Sequence, residues 1–223
     1  MSKHLLPNYG RSARKHGLTL AAAAVASALI TSTPAFASDH ASETQTGVSR
    51  SATSSQPQRQ VTADAVLKLA QQQVGTTENA SGGGTRFHSW YMTSPRAQET
   101  LARDGGSLQA YANAPWCAMF VSWVGEQTGV RPTMGWDAYT VTWARWFKNN
   151  GRWGTLAKPG AVVYYAWGGD KSITSIDHMG LVKKDNRDGT ITAIEGNTGN
   201  GKVEERVRPK SDVVGYGYPQ YKS

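Results

Sequence analysis

The only cysteine of the chain, Cys117, is the first residue that could do chemistry. It follows Pro115 and Trp116 and opens an apolar run, which predicts a helix that begins near Pro115, since proline is tolerated at the first helical position. Unpaired amides and the positive end of the helix dipole favour a thiolate in the first turn. The same position suits a small buried hydrophobe. Position alone leaves a nucleophile and a buried thiol both open.

A cysteine nucleophile needs a base, and His88 and His178 are the two histidines in the globular part of the chain. His88 lies in an aromatic segment before the cysteine. His178 begins a predicted strand whose following residues are apolar or small, so it would lie at the mouth of the core. An imidazole there can take the proton of a thiol. The alternative for His178 is a hydrogen-bonded core histidine.

Two further polar residues end the next predicted strand, at Glu195 and Asn197. Adjacent antiparallel strands could bring Glu195 against His178, where an acceptor fixes the tautomer of the ring and stabilises its charged form. Asn197 is two residues further on and could share that face, either in the same role or as a substrate ligand. Taken alone, both residues also fit an ordinary polar strand end and turn.

The elements that would position these residues are predicted as helices first and strands afterwards. Helical spacing recurs from Ala65 to Val74, in the cysteine helix up to about Gly129, and from Trp136 to Phe147. The segment 75–91 is predicted as a loop with an aromatic cluster, and 94–111 is open between helix and loop. Short β-rich runs cover 161–167, 178–183, 190–195, 203–207 and 213–218, with turn signals between them. This order predicts an α+β domain with one antiparallel sheet.

The N-terminus predicts export. Residues 1–37 combine a basic start, an alanine-rich apolar run and an Ala35-Phe36-Ala37 cleavage site, as in a secretory signal peptide. Residues 38–60 are Ser-, Thr- and Gln-rich and are predicted to be a disordered linker, which leaves 61–223 as the catalytic domain. We therefore expect a secreted, extracellular protein that can associate with a cell wall, without stable membrane association after signal cleavage.

Charge and cysteine usage exclude other classes of protein. The four basic residues of the signal lower the formal charge from +8 to +4 once they are removed. This mild excess comes without a phosphate-binding loop, an RNA-binding motif or zinc-finger spacing, so no nucleic-acid partner is expected. A thiol redox protein is disfavoured because no second cysteine can resolve a mixed disulfide.

Jointly, these motifs resemble the CHAP amidohydrolase/peptidase family of the NlpC/P60 papain-like group. The resemblance rests on Pro115-Trp116-Cys117-Ala118, on His178-Met179-Gly180 and on Glu195-x-Asn197, and it covers roughly 61–218. It implies a papain-like fold, with N-terminal helices, including the cysteine helix, packed on a C-terminal antiparallel sheet. It also implies Cys117 as nucleophile, His178 as base, Glu195 as the group that orients His178, and Asn197 as a further polar member of the site.

The activity implied by the resemblance is cleavage of amide bonds in bacterial peptidoglycan. The bond would be cut either between glycan and stem peptide, as by an N-acetylmuramoyl-L-alanine amidase, or within the peptide, as by an endopeptidase. Acyl transfer through a thioester needs no cofactor. Some relatives bind calcium through an Asp-x-Asp cluster before the cysteine; the segment 104–116 has no such cluster, so no metal is expected. Many relatives also have Pro-Gly-Asp where this chain has Pro159-Gly160-Ala161.

Substrate contacts are predicted for Trp116, Trp90 and Asn113, beside or before the cysteine, whereas helical spacing assigns Trp143 and Trp146 to the core. We expect a monomer whose partner is peptidoglycan. The alternative from another class is a catalytically silent wall-binding module that uses the same groove. It is disfavoured because all the expected catalytic positions are filled.

Overall fold

Helices precede strands in the computed structural model, which describes residues 61–222. The predicted signal peptide and linker lie outside the described residues. The helices are α1 (Ala63–Gln71), α2 (Arg86–Thr93), α3 (Pro95–Asp104), α4 (Cys117–Thr128), α5 (Arg131–Met134) and α6 (Thr140–Asn149). The strands are β1 (Trp153–Gly154), β2 (Val162–Tyr165), β3 (His178–Asp185), β4 (Thr190–Thr198), β5 (Lys202–Pro209) and β6 (Val213–Gly217). The predicted α+β class, with helices on an antiparallel sheet, is confirmed.

The six strands form one sheet in the order β1-β6-β2-β3-β4-β5, and every neighbouring pair is antiparallel. Strands β3, β4 and β5 follow one another through short turns. Gly189 in the first turn, and Gly199 and Gly201 in the second, have positive φ, a conformation that glycine adopts without steric cost. This meander places the start of β3 and the end of β4 at the same end of the sheet.

Helix α2 forms where the sequence predicted a loop. Thr85 caps it, because its Oγ1 accepts the backbone N–H of His88, and Phe87 and Tyr91 on one side of the helix are fully buried. Serine and aromatic residues have only modest helix propensity, so the sequence did not predict this helix, which burial against the rest of the fold stabilises.

Helix α4 begins at Cys117, two residues later than predicted, and ends at Gly129 in the left-handed conformation. Phe120, Val121 and Val124 are fully buried, as predicted for the core. The helix approaches β4 closely: a Cβ placed on Gly196 would lie 2.6 Å from Cβ of Phe120. The glycine therefore lets the cysteine helix pack directly against the end of the strand that carries Glu195.

The sheet has two covered faces of unequal size. Val162 and Tyr164 of β2 belong to the large cluster shared with the helices, whereas Val163 and Tyr165 belong to a smaller cluster on the opposite face. The alternation follows from the pleat of the strand, which points successive side chains to opposite sides. Within residues 61–222, no helix combines the length and the apolarity needed to cross a membrane.

Candidate active site

Cys117 is the first residue of α4, and 5 % of its surface is exposed. It lies on a cleft of about 350 Å³. No side chain caps the start of this helix, since its N-cap is Trp116 and no side-chain hydrogen bond is made there. The first backbone N–H groups of the helix lack intrahelical acceptors, so they are available to a group that carries negative charge.

The segment before the cysteine is held by two hydrogen bonds. Nε2 of His88 donates to the carbonyl oxygen of Ala114 at 3.0 Å, while its Nδ1 accepts the hydroxyl of Thr85 at 2.7 Å. Nε1–H of Trp116 donates to Oε2 of Glu78 at 2.7 Å. Burial lowers the pKa of His88, which favours the neutral ring that these bonds require. His88 is therefore a structural histidine, and His178 is the base candidate that remains.

His178 opens β3, directly across from Tyr165 of β2, and is nearly buried. Its Nε2 lies 3.0 Å from Oε2 of Glu195, which has no exposed surface. The structure therefore brings together the histidine and the carboxylate that the sequence suggested as partners. With Nε2 donating to Glu195, Nδ1 is the ring nitrogen left for another group.

Gly180 makes this contact possible. The β3–β4 register pairs Leu181 with Ile194, so Gly180 lies opposite Glu195, and His178 is one diagonal step away. A Cβ on Gly180 would lie 2.7 Å from Cγ of Glu195. The absence of a side chain on Gly180 leaves the space through which Glu195 reaches the imidazole.

Arg208 of β5 is a second partner of the carboxylate. Its Nε donates to Oε1 of Glu195 at 3.0 Å, and its Nη2 donates to Oε2 at 2.6 Å and to Oγ1 of Thr198 at 2.9 Å. Fork-like donation of this kind is strong and directional. Glu195 is thus fixed from both sides, with an imidazole on one side and a guanidinium on the other.

These contacts shift two pKa values in opposite directions. Burial alone would lower the pKa of His178, but the neighbouring Cys117 and Glu195 outweigh it and raise this pKa to about 9. Burial alone would raise the pKa of Glu195, but the hydrogen bonds from His178 and Arg208 lower it to about 2. Near neutral pH the site accordingly contains a carboxylate next to an imidazolium.

The raised pKa of His178 predicts that the folded protein loses stability at alkaline pH. Since the pKa of His178 is raised from 6.5 to about 9 on folding, its stabilising effect is complete below about pH 6.5 and disappears as the pH rises through 9. Thermal unfolding measures the free energy of unfolding from about pH 6 to about pH 9.5. Over this range it should fall by roughly 1–3 kcal/mol more in the wild type than in His178→Gln, which has no imidazole. An equal change in the free energy of unfolding of the wild type and of His178→Gln over this pH range would contradict the raised pKa of His178.

Aromatic rings cover the imidazole. The ring of Tyr165 stacks on His178 with centroids 5.8 Å apart, and that of Trp167 lies 5.6 Å away. The two aromatic rings stack on each other at 5.1 Å, and the guanidinium of Arg208 lies 4.8 Å from the centre of the Trp167 ring. Trp167 is 46 % exposed, so it forms the solvent side of this stack. Such rings favour a cationic imidazole and limit its rotation.

Asn197 does not share a face with Glu195, contrary to the prediction. The β4–β5 register shifts between Glu195 and Thr198, and Asn197 in this bulge has a φ of 52°, a left-handed conformation that asparagine tolerates. Its side chain is half-buried and makes no hydrogen bond to another described residue. Glu195 is therefore the residue of the two that contacts His178, and a contact of Asn197 with substrate stays a prediction.

The cleft at Cys117 is formed by other residues than the three predicted. Cys117 lies in one wall with Ala110, Tyr111, Ala114, Pro115 and Met119, and the other walls come from 138–142 and from Asp177 next to His178. Trp116 is wholly buried, so its assignment to an open groove is wrong. Trp90 is half-buried beside Trp136, with ring centroids 6.4 Å apart, and Asn113 is exposed next to Gly83. These three residues do not line the cleft.

A buried ion-pair cluster holds one wall of the cleft. Asp137, 1 % exposed, lies 2.8 Å from Nη2 of Arg96 and 2.9 Å from Nη1 of Arg103. Its Oδ1 also accepts the backbone N–H of Tyr139, at the point where the wall begins. Breaking a buried charge cluster is costly, so this wall is expected to be rigid.

Sequence reasoning missed Arg208, Trp167 and Asp177. The β4–β5 register does not indicate a contact between Arg208 and Glu195, because the residue directly across from Glu195 on β5 is Glu204, which has the same charge. Trp167 and Asp177 lie on either side of an irregular loop whose closure the sequence did not predict. In the part of the chain that the structure describes, no three His, Cys, Asp or Glu side chains are grouped so as to hold a metal ion.

Comparison with protein families matches residues 109–197 to the CHAP domain. The match begins shortly before α4 and ends at Asn197, so it includes Cys117, His178 and Glu195. CHAP domains are generally hydrolases of the amidase or peptidase type, typically in proteins that act on cell walls. Comparisons with curated proteins and with solved structures find no match to the chain.

Proposed function

We propose that the CHAP domain of this chain hydrolyses an amide bond of bacterial peptidoglycan, with Cys117 as nucleophile. The observation that carries the proposal is the buried pair of His178 and Glu195, 3.0 Å apart, next to a thiol at the uncapped start of a helix. A thiol, a base and a group that orients the base are the parts that acyl transfer requires.

Acylation begins with the thiolate of Cys117 and the imidazolium of His178. The sulfur attacks the carbonyl carbon of the amide, and the carbonyl π electrons move onto oxygen. The backbone N–H groups at the start of α4, that of Cys117 first, stabilise the oxyanion. As the C–N bond breaks, Nδ1 of His178 gives its proton to the leaving amine. The acyl group is then held on sulfur as a thioester.

Deacylation reverses the roles of the same groups. His178, now neutral, takes a proton from water, and the resulting hydroxide attacks the thioester carbon. The C–S bond breaks, the carboxylic acid leaves, and the thiolate–imidazolium pair is restored. Throughout the cycle Glu195 keeps Nε2 protonated and thereby directs Nδ1 toward the reacting atoms.

The setting proposed for this activity is outside the cell. The signal-like segment 1–37 supports export, and the calculated charge of +4 after its removal would favour contact with an anionic wall. Secretion is tested by N-terminal sequencing of the protein recovered from culture medium, where a start near Ser38 is expected. A secreted chain that retains Met1 would contradict the signal assignment.

Arg208 is proposed as a positioning residue for Glu195. Removing its hydrogen bonds in Arg208→Gln is expected to lower kcat about ten- to a hundredfold, since hydrogen bonds to a charged group contribute about 1.5–3 kcal/mol each. The acid limb of the pH profile should move to higher pH, because Glu195 then loses a group that lowers its pKa. Steady-state kinetics over a range of pH values measures both effects.

Arg206→Gln is the matched control for this variant. Arg206 lies on the same strand and pairs with Glu204 at 3.1 Å, and among the described residues it makes no hydrogen bond to Glu195. Arg208→Lys should restore part of the rate by returning one charge-assisted bond. Equal activities and equal pH profiles for the two glutamine variants would contradict a positioning role for Arg208.

The proposed function is tested by digesting purified peptidoglycan and identifying the fragments by mass spectrometry. An amidase would release intact stem peptides from the glycan, whereas an endopeptidase would release shorter peptides with new amino and carboxyl termini. We expect one of these two fragment sets. A protein that binds the walls and releases neither set would be the wall-binding module, and the enzymatic proposal would then be wrong.

A further inference from the structure

Asp177 is the only charged residue among those that line the cleft at Cys117 in the described part of the chain. It directly precedes His178, and its backbone N–H donates to the carbonyl oxygen of Tyr165 at 3.1 Å. This bond ties the backbone of Asp177 to the end of β2, and the residue is exposed at the cleft beside His178.

The carboxylate of Asp177 lacks a cationic partner. Its oxygens accept the backbone N–H of Trp167 at 3.2 and 3.4 Å, and within residues 61–222 it forms no ion pair with a lysine or an arginine. The neighbouring His178 is already paired with Glu195. Burial raises the pKa of Asp177, and the Trp167 N–H and His178 offset this only in part. A cation brought to this carboxylate would therefore be attracted by a charge that the protein leaves uncompensated.

The remainder of the cleft is mainly apolar. Small side chains such as Ala114 and Val141 and larger ones such as Tyr139 line it, and Thr140 and Thr142 add hydroxyl groups. Among the described residues that line the cleft there is no lysine or arginine, so a carboxylate or phosphate bound there would face Asp177 without either. The cleft accordingly matches an apolar group that carries a positive charge.

We propose that Asp177 binds a free primary ammonium group of the peptide substrate, close to the amide that Cys117 attacks. This inference rests on the proposed function, because it names the substrate class of the same site. The ammonium is either the side-chain amine of an uncross-linked diamino acid or a free peptide N-terminus. The protein would then prefer peptidoglycan peptides with an unmodified amine over those in which that amine is acylated by a cross-link.

The test uses matched soluble peptidoglycan fragments. One pair differs only in a free or acetylated side-chain amine, and a second pair differs only in a free or acetylated N-terminus. For one of the two pairs, the wild type should have a kcat/KM about tenfold higher for the free amine, the difference expected for one hydrogen-bonded charge pair. Asp177→Asn, which retains an acceptor for the Trp167 N–H, should lower kcat/KM for the free-amine fragment about tenfold more than for the acetylated fragment and so abolish that preference.

Glu205→Gln is the control for loss of a negative charge outside the cleft, since Glu205 is exposed on β5 and pairs with Lys183. It should keep the amine preference. Equal rates for free and acetylated fragments in both pairs would overturn the inference, as would an equal loss on both fragments in Asp177→Asn. If the wild type cleaves no fragment and no intact peptidoglycan, the proposed function fails instead, so the two failures are distinguishable.

Discussion

Glu195→Gln is expected to lower kcat by a factor on the order of 10² to 10⁴, because removal of the orienting carboxylate leaves the imidazole without its charge partner. In the native site, Glu195 accepts from His178 and from Arg208. Glutamine has the same shape but no charge, and its NH₂ group cannot accept the proton of Nε2. The imidazolium of His178 would lose one of the two groups that raise its pKa.

Two measurements separate this effect from general damage to the fold. The pKa of His178, followed by NMR, should fall in Glu195→Gln because Glu195 is one of the groups that raise it, and a purely structural defect elsewhere would not produce this change. Glu204→Gln is the matched control, because Glu204 lies directly across from Glu195 in the β4–β5 register and contacts Arg206. A folded Glu195→Gln protein with activity within a few-fold of the control would contradict the role proposed for this carboxylate.

The places of Cys117 and His178 in the fold were predictable because each stands at the start of an element with a clear signal. Cys117 begins an apolar helix after a proline, and His178 begins a strand of small and apolar residues. Turn glycines between strands predicted the meander that joins β3 to β4. Antiparallel neighbours necessarily bring the start of one strand to the end of the next, so the pairing of His178 with Glu195 followed from topology alone.

Contacts that depend on side-chain reach were not predictable in the same way. Arg208 is four residues from the position across from Glu195, and its long side chain reaches the carboxylate along the sheet. The bulge after Glu195 breaks the alternation from which a shared face for Asn197 was predicted. Such irregularities depend on local backbone geometry that a period-two pattern does not encode.

The residues that line the substrate cleft were predicted least well from the sequence. Adjacency in sequence suggested that Trp116 lines the groove beside Cys117, yet its indole is buried on Phe87, with ring centroids 5.4 Å apart. The segment with Glu78, which accepts the indole N–H, lies 38 residues away in the sequence, and helix α2, which carries Phe87, was predicted as a loop. Without those two elements, burial of Trp116 could not be foreseen.

Cys117→Ala carries the largest expected effect, a fall in kcat on the order of 10³-fold or more, because the proposed acyl intermediate forms on the sulfur of Cys117. The substitution removes one sulfur from a nearly buried position at the start of α4. Circular dichroism and thermal unfolding should show that the folded structure persists. Cys117→Ser, which keeps a hydroxyl but forms an anion far less readily, should be almost as inactive.

Nucleophilic catalysis by Cys117 is tested by following new amino groups released from purified peptidoglycan by the wild type and by Cys117→Ala under the same conditions. We expect steady release by the wild type and, from a folded Cys117→Ala protein, release no faster than in a control without protein. Equal release by the two proteins would contradict a mechanism in which Cys117 is the nucleophile.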